Sequence, residues 1–125
     1  MRADPFDPSV LRQSFKPGRH AFLGGWTERQ AADWVRGRSG TTKQRARAFM
    51  MGFYCAQMMN KRYGEPRANV VWRLLSKTDL DEAIAQVIVL PDQEWNEDNT
   101  LKSPFRALSK CHARAITTMI DPLAH

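Results

Sequence analysis

From Ala48 to Met59 the chain reads AFMMGFYCAQMM, and Gln57 is the one clearly polar side chain in that run. Placed about 100° apart, such side chains surround a helix on nearly every side, which predicts a helix buried all round. Its borders are marked. Thr41-Thr42-Lys43-Gln44 is a capping-box pattern ahead of it, while Lys61 and Arg62 suit the negative end of the helix dipole. Gly64 and Pro66 then stop it. The expectation is a central helix over about 44–62.

The flanking segments carry weaker patterns. Residues 1–18 contain Pro5, Pro8, Pro17 and Gly18, and they read as an extended arm with one short turn near Ser9–Phe15. Phe6, Val10, Leu11 and Phe15 give that arm apolar side chains with which to dock. Arg19 to Arg38 is helical in pattern with two possible starts. One is a single helix through both glycines; the other begins at Thr27, where Thr27-Glu28-Arg29-Gln30 fits a capping box and Trp26, Ala31, Trp34 and Val35 share a face. Residues 67–77, RANVVWRLLSK, fit a helical face better than a strand. Thr78 or Asp79 caps a helix through Ala83, Ile84, Val87, Ile88 and Leu90 to Pro91, with QVIVL at 86–90 as a competing strand. An acidic loop, DQEWNEDN, follows at 92–99. Ser103-Pro104 then opens a last helical stripe that Asp121-Pro122 ends. The sum is an all-α fold: one domain over 1–125, a compact bundle of four or five helices around the central one.

One phrase occurs twice. AFLGGWTERQ begins at Ala21 and AFMMGFYCAQ at Ala48, with Ala, Phe, Gly and Gln at matching offsets. Glycine inside a helix costs about 1 kcal/mol relative to alanine. Gly25 and Gly52 are therefore expected to allow close approach of another backbone, as a packing solution used twice.

Charge changes the picture more than composition does. With 42% hydrophobic and 26% charged residues, the chain has the make-up of an ordinary globular domain. No apolar run reaches the ~20 residues of a membrane span, and MRADPFDPSV lacks the apolar centre of a signal peptide. Cys55 and Cys111 form no Cys-x-x-Cys pair and are expected as buried free thiols in a cytoplasmic protein. The net charge of +6 is sorted into blocks. Residues 1–47 carry ten Lys/Arg against four Asp/Glu, whereas residues 78–99 carry seven acids and no base. Such sorting favours oriented binding to a charged partner, unless the acidic block folds back over the basic one.

Leu23-Gly24-Gly25-Trp26-Thr27-Glu28 resembles the Leu-Gly-Gly-Trp-x-Glu phrase of ribosome modulation factor, a very small basic bacterial protein. Gly37-Arg38-Ser39 is similar to that family's Gly-Arg-Ser turn, and Gln44-Arg45 to the Gln-Arg that opens its second helix. Phe49-Met50-Met51-Gly52-Phe53 stands near the place of its aromatic–Leu-Gly-Gly-Trp phrase, one residue out of step. The family's Cys-Pro-Tyr segment is absent, and the likeness spans residues 19–62. It implies a basic helical module that binds ribosomal small-subunit RNA and helps silence translation.

The candidate chemistry follows from charge. Arg36, Arg38, Lys43, Arg45 and Arg47 bracket the turn before the central helix, where arginines and free N–H groups suit phosphate. Arg19, His20, Lys61 and Arg62 are candidates to extend that face. No zinc-finger or RNP pattern supports reading of specific bases. His20, His112 and His125 share no metal-ligand spacing, no nucleophile has a base and an orienting partner, and neither metal, cofactor nor catalysis is expected. The leading expectation is a non-enzymatic protein contacting nucleic acid, RNA rather than DNA, on or off a ribosome. The alternative is an adaptor or inhibitor that docks on one host protein through an exposed Trp95 among Asp92, Glu94, Glu97 and Asp98. The methionine pairs at 50, 51 and 58, 59 fit an adaptable core.

Overall fold

The chain is organised around one helix, α3, spanning Lys43–Tyr63. The computed structural model describes residues 6–120. Every side chain of α3 from Ala46 to Met59 except Gln57 is buried, as the unbroken apolar run requires. Thr42 caps it, its hydroxyl accepting the Arg45 N–H at 3.1 Å. Arg45, not Gln44, is thus the third helical residue, and the cap works from one side only.

Six further α-helices surround it among the described residues: α1 (Pro8–Leu23), α2 (Glu28–Arg36), α4 (Arg67–Arg73), α5 (Lys77–Ile88), α6 (Pro104–Ser109) and α7 (Arg114–Met119). A 3₁₀ turn occupies Asp92–Glu94, and an isolated antiparallel bridge joins Trp95 to Leu101. The all-α bundle stands. It holds seven α-helices because the arm is itself helical and the last stripe divides in two.

The arm is the largest correction. Residues 8–18, expected as extended chain, form the first part of α1; residues 1–5 lie outside the described residues. Asp7 caps α1 by accepting the Ser9 N–H, and Pro8 sits in the first turn where its missing N–H costs nothing. Pro17 lies on the exposed side and denies the Gln13 carbonyl its helical donor. Packing overrides that loss: Leu11, Phe15, Gly18 and Ala21 form one buried stripe against α3.

At that crossing the two backbones nearly touch. A Cβ on Gly52 would stand 2.0 Å from the Phe15 carbonyl oxygen, and one on Gly18 would stand 1.8 Å from that of Phe49. Gly52 therefore does what the repeated phrase predicted. Gly25 does not: it has φ +87° with nothing within 4 Å of an added Cβ, and it turns the chain between α1 and α2. The phrase recurs in sequence but not in structure, and the glycine that answers Gly52 is Gly18.

That turn also decides where α2 starts. Thr27 Oγ1 accepts the Gln30 N–H at 3.1 Å and Gln30 Oε1 accepts the Thr27 N–H at 2.9 Å, a complete capping box. Of residues 67–77, the first seven form α4 and Leu74 to Ser76 turn the chain into α5, and QVIVL enters no strand: Val87 and Ile88 close α5. The α5 cap is Ser76, reciprocated by Asp79, rather than Thr78 or Asp79. The stripe after Ser103 breaks between Ser109 and Arg114, and Asp121-Pro122 lies outside the described residues. No helix of the described residues is long and apolar enough to cross a membrane.

Candidate nucleic-acid interface

The Gly25 turn and the Gly37–Thr42 turn place four aromatic and cationic side chains along one groove. Trp34 projects from α2 onto Phe49 of α3, with ring centroids 5.2 Å apart and planes 27° from parallel. Trp26, just before the α2 cap, meets Trp34 edge-on at 5.9 Å. Arg38 lies just past the Gly37 cap of α2, and its guanidinium sits 4.6 Å from the Trp34 ring centroid. Trp26 and Trp34 stay 38% and 39% exposed, whereas Trp95 is buried.

Two adjoining cavities share Pro17, Trp34 and Phe49 as a common wall. One, of about 390 Å³, is apolar and continues past Trp26 and His20. The other, of about 220 Å³, is lined by Arg38, Arg45 and the polar Ser14, Ser39 and Thr41. A stacking surface and a cationic surface thus meet in one groove. The described residues bring no carboxylate within ion-pair distance of Arg38 or Arg45.

The other expected cations separate from this pair. Lys43 is exposed but stands 3.8 Å from Asp92. Arg47 is buried: its guanidinium lies 3.1 Å from Asp92, donates to Asn99 Oδ1 at 3.3 Å and covers the Trp95 ring at 4.6 Å. Arg36 is exposed and paired with Asp33 at 2.8 Å in its own helix. Arg19 is half-buried with its guanidinium 4.2 Å from the Trp72 ring centroid, and burial lowers its pKa from the usual arginine value. Lys61 and Arg62 lie at the far end of α3, about 27 Å from Lys43 at 1.5 Å per residue. Arg62 closes the end of α7 by donating to the carbonyls of Thr117, Thr118 and Ile120. Arg19, Arg47 and Arg62 are therefore held within the fold, Lys43 turns with Arg47 toward Asp92, and the basic face of the groove narrows to Arg38 and Arg45.

The acidic block does fold back. Beyond Asp92, Asp81 pairs with Arg12 of α1 at 2.7 Å, and Glu94 is bound by Lys110, whose hydrogen bond holds its carboxyl below the usual range. Trp95 is buried at 4% exposure, which corrects its expected role as an exposed anchor. It packs in the main core beneath Arg47, and its indole N–H has no partner among the described residues. Asp98 accepts from the Thr100 hydroxyl and N–H, the hydroxyl first in depressing its pKa, and Glu97 is exposed. The 92–98 segment is thus a fastened loop with its tryptophan turned inward.

Tyr54 carries the most strongly perturbed acid outside the thiols. Its hydroxyl donates to Glu28 Oε2 at 2.7 Å and accepts the Leu101 N–H at 3.0 Å. Burial first, and the Glu28 carboxylate second, raise its pKa far above the usual phenol value. Cys55 and Cys111 are buried free thiols whose pKa values burial also raises, so neither is a poised nucleophile. His125 lies outside the described residues.

The sequence pattern placed Trp26 and Trp34 on one helix face with Ala31 and Val35 and gave them no site role. The available signal was Arg38 four residues after Trp34, the spacing at which a cation reaches a ring on a helix surface. Compared with protein-family models, curated proteins and solved structures, the chain matches none of them.

Proposed function

We propose that this chain is a non-catalytic RNA-binding protein whose contact surface is the groove between α1, α2 and the start of α3. Arg38 and Arg45 engage phosphates there, and the exposed Lys43 adds positive charge at the start of α3. The observation that carries the reading is the placement of these two carboxylate-free arginines beside two half-exposed tryptophans. The net charge of +6 supplies long-range attraction to a polyanion. The reduced, buried Cys55 and Cys111 are in keeping with a cytoplasmic site of action. The resemblance of residues 19–62 to ribosome modulation factor makes small-subunit RNA the first target to try. With Trp95 inside the core, the adaptor reading has lost its anchor.

The test is salt-dependent RNA binding by the intact chain. The double reversal Arg38→Glu with Arg45→Glu should weaken binding at least about tenfold at moderate salt. It should also flatten the plot of log affinity against log salt by about 1.4, at ~0.7 per lost contact on a single strand. Undiminished binding by a folded double variant would refute the proposal.

A further inference from the structure

A phosphate site alone does not explain why an apolar cavity continues from the arginines. Polyanion binding needs only Arg38 and Arg45. Yet the groove runs on past Trp34 into the 390 Å³ lobe walled by Pro17, Trp26 and His20, where no charged carboxylate or guanidinium intrudes. Two half-exposed indoles at its edge keep apolar ring surface in water that a small shift inward would bury. Duplex RNA offers such a surface nothing, because its bases are stacked and its readable groove is shallow. An unstacked base offers a flat apolar face of the right kind, joined to a phosphate that the neighbouring arginines can hold.

Resting on the RNA-binding reading, we propose that the groove selects single-stranded over duplex RNA by stacking an unpaired base against Trp26 while Arg38 and Arg45 hold its flanking phosphates. Recognition is through the faces of the bases and not their edges, since beyond the indole N–H groups only His20 in the lobe can hydrogen-bond, too few groups to distinguish one base from another. Trp26 is assigned the stacking role. Trp34 already lies against Phe49 and beneath Arg38, so it serves as the floor that orients Trp26.

The experiment compares three probes on the full-length protein: an unstructured RNA 12-mer, the same sequence as a duplex, and inorganic polyphosphate of similar charge. The single strand should bind at least about tenfold more tightly than either other probe and quench tryptophan fluorescence. Trp26→Ala should remove that advantage, bringing the single strand down to duplex level with polyphosphate binding unchanged. Trp26→Phe should keep most of the affinity and lose much of the quenching. Equal affinity for strand and duplex, or a folded Trp26→Ala variant that keeps the preference, would overturn the stacking inference. It would leave the phosphate reading intact if the double arginine reversal still weakens all three probes. Failure of that reversal to weaken any probe would sink both. A nuclease-resistant complex with a host protein, lost in Trp26→Ala, would assign the groove to a protein and overturn the inference as well.

Discussion

Gly18 and Gly52 let α1 and α3 cross with carbonyl oxygens where a side chain would otherwise stand. The obstacle at each position is backbone, which cannot swing aside as the end of a flexible side chain can. Gly52→Ala gains about 1 kcal/mol of intrinsic helix propensity, yet it must push two helices apart along the main apolar interface. Overpacking of this kind typically costs about 1–3 kcal/mol or more, so the net effect is destabilising. Gly37→Ala is the contrasting case. Gly37 has φ −75°, and its nearest obstacle to a Cβ lies at 3.4 Å, an ordinary contact. Chemical denaturation should show a lowered midpoint for Gly52→Ala and an unchanged or slightly raised one for Gly37→Ala. Equal midpoints would mean that the α1–α3 approach has slack that the geometry does not show.

Among the elements, α2, α3 and the 94–102 loop share one polar fastening, the Tyr54 hydroxyl. It gives its proton to Glu28 and takes the Leu101 N–H, so only the neutral phenol satisfies both partners. Because folding raises this pKa, its contribution is fully present below the ordinary phenol value near pH 10 and drains away as pH climbs above it. Stability of the native chain should therefore fall more steeply above about pH 10 than that of Tyr54→Phe. That variant should itself lose about 1–3 kcal/mol near neutrality, since it leaves a buried N–H unanswered. Parallel curves would show that another group controls alkaline unfolding. This fastening was hidden in the sequence, where Tyr54 is one more apolar position in α3. What the sequence did disclose was local: the run from Ala48 to Met59 specified the central helix, and Thr27 with Gln30 marked one of two possible starts of α2, the one that the capping box realises. The arm was misread because Pro17 and Gly18 are helix stops by local rules, and only the close approach of α1 to Phe49 and Gly52 of α3 keeps them in a helix. The arginine cluster was legible as composition, but which members stay free depends on where Asp92 lands, forty-five residues beyond Arg47.

At the scale of the whole molecule, the acidic block laid across the basic half sets the size of the free cationic surface. Asp92 alone neutralises parts of two candidates, reaching the buried Arg47 and the exposed Lys43. Its own side chain remains 76% exposed, so the pairing contributes little to stability. Arg47 keeps Asn99 and the Trp95 ring when Asp92 is neutralised. The consequence of Asp92→Asn should therefore appear in the external field. Lys43 loses its carboxylate partner at the start of α3, one unit of negative charge is lost, and the buried Arg47 gains no access to a strand. RNA binding by this variant should tighten about two- to threefold at low salt and its salt slope should steepen by about 0.7, one further phosphate contact. At ~1 M salt, where the Debye length is about 3 Å, the two proteins should become indistinguishable. Unaltered binding by a folded Asp92→Asn protein would mean that the strand, once past Arg45, does not turn toward Lys43. The path would then run along α1 past His20, and reversal of Lys16 would be the change that weakens binding.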